Sequence, residues 1–257
     1  MTIPCVRSVL AAAAAVLGLG LGGAQAAPAP AHGAAFPKGR YAGLDKLPDW
    51  GGVWTVEFTP GAASRGEPPH LKGQYLKDYD AWRAQVKAND GVVPAAGSYC
   101  LPPGMPRMMT VGQYPIEFLF TPGRVTMHFE AWMQWRNIFT DGRGHADDPD
   151  PTYSGDSIGH WEGDTLVVDT VGVKDTTPLV TGMKHSDKMH VVERMHLDPK
   201  DRDHLLVETL IEDPLALEKP WSTTVRLKRV RDGELLEFVC AENDRNPVDA
   251  EGRVQFK

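Results

Sequence analysis

"SIGHWEGDTLVVDTVGV", Ser157 to Val173, holds two short apolar runs separated by Glu162-Gly163-Asp164. Glycine and aspartate suit a tight turn, so the stretch reads as two strands joined by a hairpin. The same unit recurs in both directions. Upstream, "YPIEFLF" and "RVTMHFEAWMQWRNIF" flank Thr121-Pro122-Gly123; downstream, "KMHVVERMHL" and "HLLVETLIED" flank Asp198-Pro199-Lys200, and "WSTTVRLKRV" and "LLEFVCAEN" flank Asp232-Gly233-Glu234. These are eight candidate strands, and "DWGGVWTVEF" around Trp54 makes nine. Many short strands joined by hairpins argue for a mostly β chain folded as an antiparallel barrel or sandwich.

Between the first strand and the rest, Leu71, Tyr75, Tyr79, Trp82 and Val86 recur at spacings of four and three, the stripe of one N-terminal amphipathic helix. Asn89-Asp90-Gly91 is a suitable stop for it. "CLPPGMPRMM" has three prolines without a backbone donor, so it should be a rigid extended connection.

Arg7, the uncharged run from Val9 to Leu21 and Ala24-Gln25-Ala26 have the layout of a secretory signal peptide. The expected organisation is therefore a signal over 1–26, a flexible leader over 27–46 and a single β domain over 47–257, exported to the periplasm or secreted. The apolar run is too short for a confident membrane span, so no membrane insertion is expected after cleavage. A net charge of -7 and the lack of a long basic run argue against nucleic acid as a partner. Cys100 and Cys240 either pair as a disulfide, favoured in an oxidising compartment, or stay separate buried thiols.

In the long run from Arg124 to Phe139, the odd positions Val125, Met127, Phe129, Ala131, Met133 and Trp135 form an apolar core or cavity face. The even positions, including His128, Glu130 and Arg136, would then face outward unless a bulge turned Glu130 or Arg136 inward. On "KMHVVERMHL", Met189, Val191, Glu193, Met195 and Leu197 share one side, which places a carboxylate among apolar neighbours. An unpaired ionised carboxylate is too costly to bury, so Glu193 must have a cationic partner such as Arg136 or Arg226, or carry a proton. His185, at the start of the same strand, suits a proton shuttle, whereas His185-Ser186-Asp187 is no nucleophilic triad because sequence neighbours project apart. The Asp- and Gly-rich connection "FTDGRGHADDPDPTYSGD" reads as a lid over the barrel mouth, with Asp141, Tyr153 and His160 beside it. His128-Phe-Glu130 and His160-Trp-Glu162 are the only metal-like pairs of note. There is no H-x-H, C-x-x-C or H-E-x-x-H, so no metal and no cofactor is assigned.

"YPIEFLFTPGRVTMHFEAWMQWRNIFTDGRGH", "PDPTYSGDSIGHWEGDTLVVDTVG", "HSDKMHVVERMH" and "EFVCAEN" resemble the recurring blocks of a large family of secreted bacterial proteins, most without an assigned function. Glu130, Arg136, Asp141, His185, Glu193 and Arg194 lie in the matching blocks. Gly52-Val53-Trp54 also resembles the Gly-x-Trp strand that opens lipocalin-like barrels, where the tryptophan closes one end and an arginine from a late strand packs on it. The resemblance implies an antiparallel lipocalin-like (calycin-type) β-barrel, with Arg226 or Arg229 as the packing arginine; the one N-terminal helix and the proline segment depart from its simple pattern.

The functional expectation is a cofactor-independent lyase or isomerase acting by acid-base chemistry on a small aromatic or terpenoid-like molecule. Glu193 would be the acid or base and His185 the shuttle; Arg136 and Glu130 would orient a polar group, with Trp135, Tyr153, Met127, His160 and Asp141 around the substrate. The alternative is a lipocalin-like carrier of a hydrophobic ligand without catalysis, in which Glu193 is locked to an arginine. A third is a structural module with a filled core. A homo-oligomer is left open.

Overall fold

The computed structural model describes residues 43–57, 67–92, 100–112 and 114–240. The signal segment, most of the leader, Phe58 of the first candidate strand and the "AEN" of the last lie outside them. Within them the alternating stretches form strands β1 (Val53–Val56), β2 (Ile116–Thr121), β3 (Arg124–Phe129), β4 (Gln134–Phe139), β5 (Asp156–Glu162), β6 (Thr165–Val171), β7 (Pro178–Val180), β8 (Met183–Lys184), β9 (His190–Asp198), β10 (Asp201–Glu212) and β11 (Trp221–Val230). Nine of these close a barrel in the order β1-β11-β10-β9-β6-β5-β4-β3-β2, while β7 and β8 pair apart from it. Neighbours are antiparallel except β4 and β5, which pair in parallel over only Ile138↔Ser157 and Phe139↔Ile158. The fold is thus mostly β, a closed nine-stranded barrel accompanied, among the described residues, by one α-helix, α1 (Gly73–Ala88).

Two strand expectations are corrected. The long run from Arg124 is a hairpin: residues 130–133 turn, with Trp132 and Met133 at positive φ, and Phe129 pairs with Gln134. Antiparallel partners share a face, so Met127↔Arg136 and Val125↔Ile138 point inward while His128↔Trp135 points outward. The parity of the core face therefore switches at the turn, and Trp135 leaves the interior. "LLEFVC" forms no strand. After β11 the segment 231–240 runs as a strap: the Leu236 N–H donates to Glu130 Oε2 at 2.8 Å, Phe238 meets Tyr114 edge-on at 5.1 Å, and Cys240 is disulfide-bonded to Cys100.

One end of the barrel is closed by the tight turns at 121–124, 162–165 and 198–201. The Arg229 guanidinium lies 4.6 Å from the Trp54 ring and is held by Asp49, whose carboxylate accepts from Nη1 at 2.9 Å. Trp54 Nε1 donates to the Trp50 carbonyl, and Trp50 packs on Phe118, Phe120 and Trp161. Of the two arginines offered for packing on Trp54, Arg229 lies on the ring. Arg226 instead reaches Glu57 and Asp198.

The other end is covered. The proline segment is extended only to Gly104; a short 3-10 turn over Arg107–Thr110 then places Met108 and Met109, with Met105, in the core. The β7–β8 hairpin and α1 lie over this end, with Tyr75 and Tyr79 against the core. Gly182 is required there, because its φ is +78° and a Cβ would come within 2.4 Å of the Trp82 ring. Buried Asp213 staples residue 186 to the turn after β10, accepting from the Ser186 N–H and hydroxyl, both at 2.7 Å, and from the Leu215 and Ala216 N–H groups.

Candidate functional site

Inside the barrel, the side chains of Arg136 and Glu193 form an ion pair and are both 0 % exposed. Arg136 also donates to Thr170 Oγ1 at 2.8 Å and Ser157 Oγ at 3.2 Å, and those two hydroxyls are 2.9 Å apart. Glu193 therefore has the arginine partner, from β4. Met127, Ile138, Leu166, Val168, Met195 and Val207 are likewise wholly inaccessible. The lumen at this level is therefore filled by side chains and holds the ion pair dry. The second carboxylate oxygen, Glu193 Oε1, has no hydrogen-bond partner, a cost of about 1–3 kcal/mol for a buried acceptor.

The open space lies outside that layer, at the parallel junction. Above Ile138↔Ser157 the strands β4 and β5 diverge and leave a cleft of about 370 Å³. Its aromatic walls are Trp135, Phe139 and Tyr153, and its polar groups include Gln134, Asn137 and Asp156. Ser157 forms the floor and links the cleft to the buried arginine behind it. Gly155 permits the entry to β5: its φ is +71°, and a Cβ would meet the Val171 carbonyl at 2.7 Å.

The walls are held from behind. Trp135 is 49 % exposed, yet its ring stacks on His128 with centroids 3.6 Å apart and planes 8° from parallel. Burial lowers the affinity of His128 for a proton, with Glu117 partly opposing it, which suits a neutral ring in that stack. Thr126 donates its hydroxyl to Asn137 Oδ1 at 2.9 Å, leaving the amide N–H groups for the cleft. Gln134 Nε2 donates to the Trp132 carbonyl, leaving its oxygen as an acceptor. The lining contains one carboxylate, Asp156, and no lysine or arginine.

The other expected site residues are dispersed. Met127 is core. Glu130 anchors the strap. Asp141 pairs with Arg143 in a surface turn, and His160, exposed, meets Glu162 at 3.2 Å. His185 is buried beneath the cap, with Nδ1 on the Ser186 carbonyl at 2.8 Å and Nε2 on the Thr177 hydroxyl at 2.9 Å. Burial lowers its affinity for a proton, against the pull of the Ser186 carbonyl and Asp213. It touches neither Glu193 nor the cleft, and the Ser186 hydroxyl goes to Asp213, so no triad forms. The connection after β4 is not a lid over the mouth. It lies on the outer face of β5 and β6, where His145 bridges Asp156 and Asp169 at 3.0 Å each. Among the described residues, no group of three or more His, Cys, Asp or Glu is arranged to hold a metal ion, and no helix is long and apolar enough to cross a membrane. Asn137 was not singled out from the sequence, and His128 only as half of a metal-like pair with Glu130; their cross-strand pairing with Thr126 and Trp135 carries the signal once β3 and β4 are recognised as a hairpin.

No protein-family model matches the chain, and no curated protein matches it. Among solved structures it is similar to a crystal structure of a mutant of the fluorescent protein UnaG, with 12% identity over 70% of this chain and 96% of that one and a TM-score of 0.31.

Proposed function

We propose that this protein binds a small, neutral, planar aromatic molecule bearing a hydroxyl group, and that it does so in the cleft between β4 and β5 as a carrier. The observation that carries this reading is Trp135. A half-exposed indole is stacked rigidly on His128 at the edge of a cleft whose remaining walls are Tyr153 and Phe139. A preorganised aromatic platform loses little freedom on binding. The Asn137 amide donates and the Gln134 oxygen and Asp156 accept, which matches a hydroxyl. Asp156 is the charged group of the lining itself and favours a neutral donor over an anion, while Arg143 and Lys174 lie over the Phe139 and Tyr153 rings beside it.

The acid-base reading needs Glu193 to meet a substrate. Arg136 occupies that carboxylate, and the packing around both side chains weighs against catalysis there and against a guest in the lumen, so the carrier reading rests on the cleft outside it. The Cys100–Cys240 disulfide supports an oxidising compartment, in keeping with export under the amino-terminal signal.

The test is a titration with 2-naphthol, read as energy transfer from tryptophan. Saturable binding by the wild type, weakened about tenfold or more by Trp135→Ala, is expected. Binding unchanged in that variant would remove the cleft from the reading.

A further inference from the structure

Beside the cleft, five side chains from five parts of the fold alternate between acid and base. His145, on the 140–151 loop, places Nδ1 3.0 Å from Asp156 Oδ2 on β5 and Nε2 3.0 Å from Asp169 Oδ1 on β6. His190, on β9, places Nε2 2.8 Å from the same Asp169 oxygen and Nδ1 3.2 Å from Glu212 Oε2 on β10. The Ala146 N–H adds a bond to Asp156 Oδ2 at 3.2 Å. Other charges on the same elements include Arg143, on the loop, which acts on Asp156 through space, and Arg194, on β9, which is engaged by Glu162.

The hydrogen count decides what holds this chain together. Ionised carboxylates only accept, and a neutral imidazole carries a single N–H. The four nitrogen–oxygen contacts need four N–H donors, whereas two neutral rings supply two. All four contacts form only when both rings carry two protons. We propose that His145 and His190 are a two-proton clasp that pins the 140–151 loop onto β5, β6, β9 and β10, and with it the Asp156 flank of the cleft. Raising the pH removes the extra protons, sets nitrogen lone pairs against carboxylate oxygens and loosens that flank. The effect on a ligand rests on the cleft reading above; the clasp itself does not. Burial disfavours charge on His190, but Asp169 and Glu212 outweigh it and raise its proton affinity above the ordinary value.

Asp169→Asn provides an isosteric test. An amide nitrogen in place of Oδ1 offers two hydrogens, one to each Nε2, so both rings can stay neutral and donate from Nδ1 to Asp156 and Glu212. All four contacts are then satisfied without added protons. The experiment records imidazole 15N shifts and 2-naphthol affinity for wild type and Asp169→Asn between about pH 6 and pH 8.5. In the wild type both rings are expected to be charged at the acid end, and affinity to fall about three- to tenfold at the alkaline end. In the variant both rings should be neutral throughout and affinity flat. Neutral rings in the wild type at about pH 6, or a variant that keeps the wild-type pH dependence, would overturn the clasp. If 2-naphthol binds at no pH, the cleft reading falls, and the imidazole shifts alone decide the clasp.

Discussion

Glu193 sits where alternation along its strand requires, on the inward face between Val191 and Met195, and the consequence of burying it is met by Arg136 from across the barrel. A dry ion pair of this kind stabilises little relative to well-packed apolar groups, yet breaking one half of it leaves an uncompensated charge. Glu193→Leu alone should cost about 3–5 kcal/mol in a urea unfolding experiment, and adding Arg136→Met should recover most of that loss, because Ser157 and Thr170 can still bond each other. A double variant no more stable than the single would mean that the pair is not an isolated unit. The need for a partner could be read from the sequence, since a carboxylate in an apolar row must be paired or protonated. Which arginine supplies it could not, because the inward turn of Arg136 depends on the chain reversal at residues 130–133.

That reversal is the chief difference between the strands expected and those formed. Residues Arg124 to Phe139 alternate without interruption, and nothing resembling Asn-Gly marks a turn; instead Glu130 to Met133 are forced into one, with two non-glycine residues at positive φ, a conformation costing roughly 1–3 kcal/mol each. The opposite error occurs at "LLEFVC", whose apolar residues pack as a strap and not in a ladder: Phe238 meets Tyr114 and Trp132, while Leu236 is left exposed. The other hairpins, at Thr121-Pro122-Gly123, Glu162-Gly163-Asp164 and Asp198-Pro199-Lys200, form where their turn residues predict. Because no sheet bonds hold the strap, it should detach locally when Cys100 and Cys240 are both changed to Ser. The amide of Leu236 is expected to exchange with solvent about tenfold faster or more, with global stability reduced by well under the ~5 kcal/mol of a fully entropic cross-link. An equal gain in exchange across β9 and β10 would show that the strap and barrel open as one.

For the whole molecule, two histidines set opposite limits on the pH range. Burial depresses the proton affinity of His185, so the unfolded chain takes up that proton first, and stability falls as pH drops below the ordinary value of about 6.5. His190 is raised; its contribution is complete below that value and lost as pH rises through the folded one. Thermal midpoints measured against pH should therefore decline on both sides of a maximum. In Asp169→Asn the alkaline decline attributable to the clasp should vanish while the acid one remains; a symmetrical loss of both would assign the curve to other groups. His185 stood out in the sequence and His190 did not; the surroundings of both come from β6, β10 and the cap, which no local pattern connects. The pairing of β1 with β11, Val53 opposite Val230, has a consequence for biogenesis. The first strand waits for a partner made about 170 residues later, so a chain emerging amino terminus first has an unmet hydrogen-bonding edge until β11 has been made. Chaperone protection of the nascent chain would have to last until β11 arrives.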